Sequence, residues 1–437
     1  MKSITKTFLL LFCFCLSSFS FIAQAQTISG NVTDEDGVPL PGATVLVEGT
    51  STGVSTDFDG NYTIEAAAGQ TLIFSYVGYS SQNITVGNAS TINVQLKADN
   101  ALDEVVGSRN VPGQYPLAPK SQFLINQGNG DFKLNNSALP NENQLGMITD
   151  VLWMDIDSDK DDDLIIVGDW MPITILQNTN HSFIKANFEG LEDSFGLWNC
   201  IEKGDVDNDG DEDFIVGNLG LNSQLKANVT KPMTVFYGDF DNNGAIDPIL
   251  CKYYDDKNYP FFSKDDLQSQ LSNLKSAFVS YAAYADQTIY DILKKMDIKK
   301  IDSLQVKTLA SSIVENLGNM TFQINPLPKE AQLAPVFGIK IKDINQDHFP
   351  DLILGGNLMG TRVKLGQLNA SRGICLLGNG KGDFRSLNIS ESGLNIKGEI
   401  RAIEAFNDLE NNTYYIFALN NAAARVFKLN ENSNPPK

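Results

Sequence analysis

Four nine-residue segments of this chain share one pattern. Each has aspartate at its first and ninth positions, aspartate or asparagine at its third and fifth, and an apolar residue directly after it. They begin at Asp155, Asp205, Asp239 and Asp343, and we call them loops one to four. They hold six, six, three and three acidic residues, which accounts for most of the formal net charge of -20. Carboxylates at this density repel one another without a cation, so the pattern predicts four cation sites.

Alternate side chains of a tight loop converge, so positions one, three, five and nine can offer oxygens to one hard cation, with the carbonyl of position seven as a further ligand. No cysteine or histidine occupies these positions, which favours Ca²⁺ over zinc or copper, with Mg²⁺ as second choice. The sequence therefore predicts up to four Ca²⁺ ions. The predicted ligands are Asp155, Asp157, Asp159, Asp163, Asp205, Asp207, Asp209, Asp213, Asp239, Asp241, Asn243, Asp247, Asp343, Asn345, Asp347 and Asp351.

The residues that follow these loops exclude an EF-hand, which needs a glutamate at position twelve and then a helix. Position twelve is apolar in every loop: Ile166, Val216, Leu250 and Leu354. Position six, where a sharp turn favours positive φ, is glycine in loops two and three. It is Lys160 in loop one and His348 in loop four, at a cost of about 1–2 kcal/mol. We therefore expect loops one and four to be weaker or differently shaped, and His348 to be a turn residue.

Residues 1–25 follow the pattern of a secretory signal peptide, with lysines, an apolar run and a small-residue cleavage site. We expect the mature chain to begin at Gln26, with no transmembrane segment after it, and to reach the outer membrane, the cell surface or the medium, with the periplasm as the alternative. Strong negative charge argues against nucleic acid as a partner. Cys200, Cys251 and Cys375 are too few and too scattered for a disulfide framework and are expected to be buried.

Residues 26–98 are rich in β-forming residues with regular turns, which predicts a small antiparallel sandwich. This segment resembles the carboxypeptidase regulatory-like domain at the front of SusC/RagA TonB-dependent receptors. The matching pieces are Ile28-Ser29-Gly30, 36–45, Asp59-Gly60-Asn61-Tyr62, 74–79 and 102–106. The resemblance stops at Gly107, and no series of membrane strands follows, so it does not imply transport activity.

A linker is predicted at residues 99–120, and residues 121–430 then repeat a unit of strand, aspartate loop, buried strand and hairpin. One stretch, 263–317, changes to helical spacing and is expected to be an α-helical insertion between strands of one unit. Leu267, Leu271, Leu274 and Phe278 would share one helix face, and Ser263 is a plausible helix start.

The loops, together with the stretches 168–172, 217–222 and 355–357, resemble FG-GAP/VCBS repeats of the Bacteroidetes type, with loops like those of integrin α-subunit propellers. The resemblance implies a mainly β protein: an Ig/prealbumin-like β-sandwich followed by a β-propeller, complete or partial, with a helical insertion. Strands 123–133 and 398–429 could complete one shared blade and close a five-bladed ring. A truncated propeller is the alternative.

Three functions remain open from the sequence. The first is a non-catalytic calcium-binding module for a protein or polysaccharide at the cell surface, with Trp153, Trp170 and Trp198 either as binding residues or as core. The second is a calcium-dependent polysaccharide lyase or hydrolase using the cations Arg362, Lys364 and Arg372. The third is an accessory component or fusion remnant of a TonB-dependent nutrient receptor system, with outer-membrane receptor components as partners. The chain has no nucleophile elbow, HExxH motif or phosphate loop, so we expect no catalysis.

Overall fold

A computed structural model describes most of the chain after the predicted signal peptide, which lies outside it except for Ala25. The described residues are 25–34, 37–50, 52–76, 79–87, 89–96, 104–107, 109–126, 131–157, 159, 161–179, 182–408, 410 and 412–429. Two compact units divide the chain. One contains the residues up to 104 together with 124–135, and the other contains 105–123 together with 136–437.

The N-terminal region is built from short strands. They are β1 (Ala25–Thr33), β2 (Thr44–Val47), β3 (Gly53–Ser55), β4 (Asn61–Ala67), β5 (Thr71–Tyr76), β6 (Tyr79–Thr85), β7 (Val94–Gln95), β8 (Glu104–Val106), β9 (Gln122–Asn126) and β10 (Phe132–Leu134).

Two of its sheets, β4-β1-β7 and β3-β2-β5-β6, pack on one apolar core as a sandwich. Strand β4 alternates strictly between exposed and buried residues, as expected for a strand with one face on a core. Ile28 from one sheet and Phe74 from the other are both fully buried in that core. The predicted sandwich is purely antiparallel, but β1 and β7 run parallel.

The second unit carries twenty strands in the described residues. They are β11 (Met147–Met154), β12 (Asp163–Met171), β13 (Thr174–Asn178), β14 (Phe183–Lys185), β15 (Gly196–Leu197), β16 (Cys200–Gly204), β17 (Asp213–Gly217), β18 (Met233–Tyr237), β19 (Ile249–Tyr254), β20 (Lys257–Pro260), β21 (Asp302–Val306), β22 (Ser312–Asn316), β23 (Phe322–Pro326), β24 (Val336–Lys342), β25 (Asp351–Gly356), β26 (Ile374–Gly378), β27 (Phe384–Leu387), β28 (Ile400–Asn407), β29 (Thr413–Leu419) and β30 (Arg425–Lys428).

Helices of this unit are short. They are α1 (Lys264–Gln270), α2 (Leu274–Ala277), α3 (Tyr281–Tyr284), α4 (Ile289–Lys295) and α5 (Ile389–Ser392), with 3₁₀ turns at Asn136–Ala138, Asn141–Asn143 and Lys329–Gln332. No described helix has the length and apolar character needed to cross a membrane.

Five sheets, named A to E, make up this unit. Sheet A is β11-β12-β13-β14 with β15 beside β12, sheet B is β16-β17-β22-β23, sheet C is β20-β19-β18-β21, sheet D is β24-β25-β26-β27, and sheet E is β28-β29-β30. The first strands of sheets A, B, D and E lie side by side in chain order: β11 contacts β16, β16 contacts β24, and β24 contacts β28. The result is a row of four sheets.

Strand alternation explains how this row packs. In sheet B, Phe214 and Val216 point to the core shared with sheet A, while Ile215 between them points to the core shared with sheet D. In sheet D, Leu352 and Leu354 face sheet B, and Ile353 faces sheet E. Such strands are apolar on both faces, which is why their sequences lack a polar alternation.

Sheet C is nested inside sheet B, because the chain leaves at the end of β17, builds β18–β21 and the four helices, and returns as β22. The two ends of this excursion meet, since the Asn218 amide donates to Ser311 Oγ at 3.0 Å. We expected loop three to belong to one more unit in series, but its sheet is an insertion within another sheet.

The predicted helical insertion, 263–317, is shorter in the structure. Helices end at Lys295, and 302–306 and 312–316 are strands that pair with β18 and β17. Within the helical part, the four predicted apolar residues are buried together. Leu267 and Leu274 lie in α1 and α2, and Leu271 and Phe278 are the C-cap residues of those two helices. Ser263 caps α1 in a capping box with Asp266, as expected.

The predicted shared closing blade stays a prediction. Strands β9 and β10 pair with each other, and sheet E contains only β28, β29 and β30.

Candidate metal centres

Each aspartate loop connects two neighbouring antiparallel strands. Loop one joins β11 to β12, loop two joins β16 to β17, loop three joins β18 to β19, and loop four joins β24 to β25. The ninth residue of loops one, two and four is the first residue of the following strand, so its side chain enters the sheet while the first and third residues remain in the loop.

The first aspartate organises the loop backbone. In loop two, Asp205 accepts hydrogen bonds from the amides of positions five and six at 3.2 Å. Asp239 in loop three does the same at 2.9 Å. Asp343 in loop four accepts them at 3.2 and 2.9 Å. The carboxylate at position one therefore folds the chain around itself in three loops.

The ninth aspartate ties each loop to its sheet. Its Oδ2 accepts the amide of position two, at 3.2, 3.1, 3.0 and 2.8 Å in loops one to four. In sheets A, B and D its Oδ1 also accepts an amide from the third strand, donated by Asn178, Asn316 and Gly378. These third-strand donors were not predicted, although Asn178 and Asn316 belong to hairpins that the sequence repeats.

Three of the loops bring carboxylates to one point. Oxygens of positions one, three and nine lie within 4.8 Å of one another in each set: Asp155, Asp157 and Asp163; Asp205, Asp207 and Asp213; Asp239, Asp241 and Asp247. The carboxylates of Asp159 and Asp209 at position five lie outside these groups. Asp159, Asp209 and the amide Asn243 stay predicted ligands. Among the described residues, loop four forms no such group, and Asp343, Asn345, Asp347 and Asp351 remain predictions.

Burial of the ninth aspartate has an electrostatic consequence. Desolvation raises the pKa of Asp213 to about 7, and that of Asp163 and Asp351 to about 6. Burial also raises the pKa of Asp247. Nearby loop carboxylates push in the same direction, whereas the backbone hydrogen bonds oppose the shift. The loops are therefore strained electrostatically when these groups are ionised and no cation is present.

In loops two, three and four, positive φ occurs at two positions, not one. Gly210, Gly244 and His348 at position six have φ of 103°, 87° and 71°, as the pattern predicts. Position four is also left-handed, with Asn208 at 62°, Asn242 at 61° and Gln346 at 61°. Asparagine tolerates this conformation better than most residues, which is the sequence signal that could have revealed it. Lys160 lies outside the described residues.

The donor set fits a hard cation. All three groups offer only oxygen, and calcium and magnesium are the common protein-bound cations that prefer it. In loop three, Oδ1 of Asp241 is buried without a hydrogen-bond partner, as expected of an oxygen reserved for an ion. In loop two, Oδ1 of Asp211 is also buried without a hydrogen-bond partner. Burial and the nearby negative charge of Asp209 raise the pKa of Asp211 to about 6. From the sequence, only the backbone carbonyl of Asp211, at position seven of loop two, was predicted as a metal ligand, not its carboxylate.

Two of the three tryptophans are core residues. Trp198 is fully buried and Trp170 is 5% exposed. Trp153 is half-buried and packs against Phe123 and Phe183. The three cysteines of the described chain are free and buried, as predicted.

The N-terminal sandwich can be compared with known families. The profile of the CarboxypepD_reg-like domain family matches residues 28–106. The N-terminal segment is a carboxypeptidase regulatory-like domain. This confirms the resemblance drawn from its sequence and places residues 102–106, beyond the predicted domain end at 98, within the match.

Curated relatives of this domain are TonB-dependent receptors. TonB-dependent receptor P26 of Formosa agariphila is 56% identical over 93 residues, covering 21% of this chain and 9% of the receptor. TonB-dependent receptor SusC of Bacteroides thetaiotaomicron is 43% identical over 102 residues, covering 23% of this chain and 10% of the receptor. The chain thus spans about a tenth of the length of these relatives, and the N-terminal region is homologous to the corresponding region of SusC-like receptors.

Among solved structures, the V. cholerae biofilm matrix protein Bap1 aligns over 94% of this chain and 89% of its own, at 10% identity and a TM-score of 0.25. A score this low carries no argument about fold or function. The FG-GAP/VCBS propeller therefore stays a prediction for the second unit.

Proposed function

We propose that this protein is a non-catalytic accessory component of a TonB-dependent nutrient receptor system, exported to the outer membrane or cell surface. The supporting observation is the carboxypeptidase regulatory-like domain, with its 56% identity to a receptor's own domain. The comparisons favour this alternative over the isolated calcium-binding module that the sequence ranks first. The receptors' transport activity is not part of the proposal, because the chain spans only about a tenth of their length.

Affinity purification with the mature chain from Gln26 onward tests this proposal. We expect SusC-like receptors to co-purify from solubilised outer membranes after crosslinking. Phe58 is 94% exposed on the N-terminal sandwich, and an exposed aromatic ring of this kind is a common anchor for a partner. Phe58→Ala should therefore weaken the capture, whereas Val363→Ala, at an equally exposed site in the second unit, should not. Absence of the mature protein from cell envelopes would instead favour a fusion remnant.

We further propose that loops one, two and three bind Ca²⁺, and that the ion stabilises the hairpins they join. The support is the convergence of three carboxylates in each loop and the raised pKa values of the ninth aspartates, which make the ion-free loop costly. An ion that binds only the folded state stabilises it by mass action. Loop four is proposed as a fourth, weaker site, because its third position is the amide Asn345 rather than a carboxylate.

Metal analysis and thermal unfolding test the calcium proposal together. We expect about three tightly held Ca²⁺ per chain by equilibrium dialysis, and a melting temperature that falls on addition of chelator. Asp205→Asn combined with Asp207→Asn should remove one ion. A matched change of exposed acids outside the loops, Asp255→Asn with Asp286→Asn, should remove none. An unchanged melting temperature in chelator would contradict the proposal.

We infer that the second unit is a β-propeller of the FG-GAP/VCBS type. The support is the row formed by sheets A, B, D and E, with first strands adjacent and one loop framework repeated. A crystal structure of the mature chain grown with calcium tests this inference. Blades arranged around a central axis are expected, and a flat or open stack of sheets would contradict it.

A further inference from the structure

One face of sheet C presents cations and tyrosines to solvent. Lys252 pairs with Tyr259 across strands β19 and β20, and Tyr254 pairs with Lys257. Directly opposed residues share a face of the sheet, and residues two apart on one strand share it as well. These four side chains therefore lie on one surface. The alternate residue Cys251 faces the other way, into the core shared with the helices.

The loop that connects β25 to β26 in sheet D adds two more cations to this surface. Leu358 and Leu368 bridge its base, and Thr361 Oγ1 bonds the carbonyl of Gly366. Its tip holds Arg362 and Lys364 on either side of Val363, which is 99% exposed. We call Lys252, Tyr254, Lys257, Tyr259, Arg362 and Lys364 the cationic strip.

Aromatic rings beneath the strip hold its cations together. The Lys252 ammonium lies 5.0 Å from the centroid of Phe261, and that of Lys364 lies 5.3 Å from the same ring. The Arg362 guanidinium lies 4.9 Å from the centroid of Phe262. Cations at these distances are attracted to ring faces. Three positive charges thus converge on two adjacent rings.

These three cations have no ion-pair partner in the part of the chain that the structure describes. Asp266 is a carboxylate close enough for Lys364 and Arg362 to help lower its pKa, but the larger cause is its hydrogen bonding to Ser263 in the α1 cap. The Lys252 ammonium donates a hydrogen bond to the carbonyl of Gln224 at 3.2 Å, which leaves its charge uncompensated. On a chain of net charge -20, a convergent set of cations without ion-pair partners creates a local positive potential that attracts anions.

The other end of the strip has a different chemistry. Tyr254, which is 72% exposed, and Tyr259 line an open cleft of about 620 Å³ together with Asp255, Asp256 and Asp286. Asp256 is paired with Lys231 at 2.9 Å. The remaining carboxylates can accept hydrogen bonds from hydroxyl groups, and an exposed tyrosine ring can cover an apolar ring face.

We propose that the cationic strip binds an acidic polysaccharide. Anionic groups of the chain meet Lys252, Arg362 and Lys364, while sugar hydroxyls and a ring face meet the tyrosine and aspartate end. An anionic polypeptide suits the first end, but it offers neither the sugar hydroxyls nor the ring faces that the second end can bind. This ligand class rests on the proposed function, since it gives the accessory protein a ligand. Receptor capture and glycan binding are measured in separate experiments, so either can fail alone.

The test uses the purified mature chain with calcium and four probes: polygalacturonate, dextran sulfate, neutral dextran and poly-L-glutamate. We expect binding of at least one acidic polysaccharide, weakened by salt, with no binding of dextran and much weaker binding of poly-L-glutamate. The double variant Arg362→Ala, Lys364→Ala should bind roughly tenfold more weakly. Tyr254→Ala should also weaken binding, whereas Tyr254→Phe, which keeps the ring, should retain it.

Matched controls are Lys299→Ala and Lys329→Ala, since both side chains are at least 85% exposed and lie outside the strip. These two variants should bind as the parent does. All the substituted strip residues are at the surface, so unchanged melting temperatures are expected and separate a binding defect from misfolding. Failure to bind either acidic polysaccharide, equal binding of poly-L-glutamate, or full binding by the double variant would overturn the proposal.

Discussion

Asp213 shows most directly how one side chain joins a loop to its sheet. It is fully buried and accepts the amides of Val206, at 3.1 Å, and Asn316, at 2.8 Å. These donors belong to loop two and to a strand more than a hundred residues away in sequence. The carboxylate therefore has a structural role even before any ion is considered.

Asp213→Ala should lower the free energy of unfolding by about 2–4 kcal/mol, because two buried amides lose their acceptor. Urea denaturation in chelator measures this effect without any contribution from metal. The neighbouring Glu212→Ala, which removes only a solvent-exposed pair with Lys203, should change stability by less than about 1 kcal/mol. Equal losses for the two variants would show that the burial of Asp213 has no energetic consequence.

The raised pKa values of Asp163, Asp213 and Asp351 predict a pH dependence. An acid whose pKa is higher in the folded than in the unfolded state holds its proton more tightly when folded. Its contribution therefore favours folding least above the folded pKa, and stability is lost as pH rises from near 4 to about 7. Calcium binds the ionised form, so the gain in melting temperature from calcium should grow between about pH 5 and pH 8. A gain independent of pH would contradict this.

At the scale of elements, close contacts at the end of β25 fix how this strand meets β24 within sheet D and how it meets sheet E. Gly356 ends β25, and a Cβ there would stand 1.6 Å from the carbonyl oxygen of Pro335. Gly355 beside it would place a Cβ 2.6 Å from the side chain of Ile400. Both sites require glycine for space, not for an unusual φ.

Gly356→Ala should therefore destabilise the fold by roughly 3 kcal/mol or more, because backbone rather than a flexible side chain must move. Gly360→Ala is the matched control, since a Cβ at Gly360 meets nothing within 4 Å. It should lie within about 0.5 kcal/mol of the parent. Thermal unfolding of both variants measures the difference, and a near-neutral Gly356→Ala would show that the strand end can shift.

Much of the element scale could be predicted because its signals are local. A few neighbouring residues determine each of these features: the loops, the buried strands after them, and the Ser263 cap. The nesting of sheet C could not be predicted, because β17 pairs with β22 and β18 with β21. Nothing within 312–316 distinguishes a strand for one sheet from a strand for the other. Only part of the cationic strip could be predicted. Arg362 and Lys364 were recognised as candidate cations, but their spatial neighbours Phe261 and Lys252 are about a hundred residues away in sequence, so their contact could not be predicted.

The predicted position-five ligands also have a backbone role that their spacing does not reveal. Spacing alone treats positions one, three, five and nine as equivalent. In the folded loop the residue at position five, such as Asp209 or Asn243, accepts the amide two residues ahead, at 3.1 and 2.7 Å. A left-handed residue at position four then changes the direction of the chain just before it. The spacing of the acidic and amide residues along the loop does not predict that turn.

At the scale of the whole molecule, the cysteines give a simple test of the fold. Cys200, Cys251 and Cys375 are free and buried, and burial raises the pKa of all three thiols. A thiol reagent should therefore modify none of them in the native mature protein and all three after denaturation. Mass spectrometry counts the modified sites. Rapid native labelling of any one of them would mean that its core opens or is not formed.

The meeting of Asn218 with Ser311 has a further consequence for how this architecture could be altered. Residues 219–310 leave sheet B and return to it at points close enough for a direct hydrogen bond. A chain in which a short turn replaces that excursion would lose loop three, helices α1 to α4 and four of the six strip residues, and would keep Arg362, Lys364 and the register of β17 with β22. Residues 219–310 are thus an insertion that could be exchanged as a unit between related scaffolds, together with the four strip residues on strands β19 and β20.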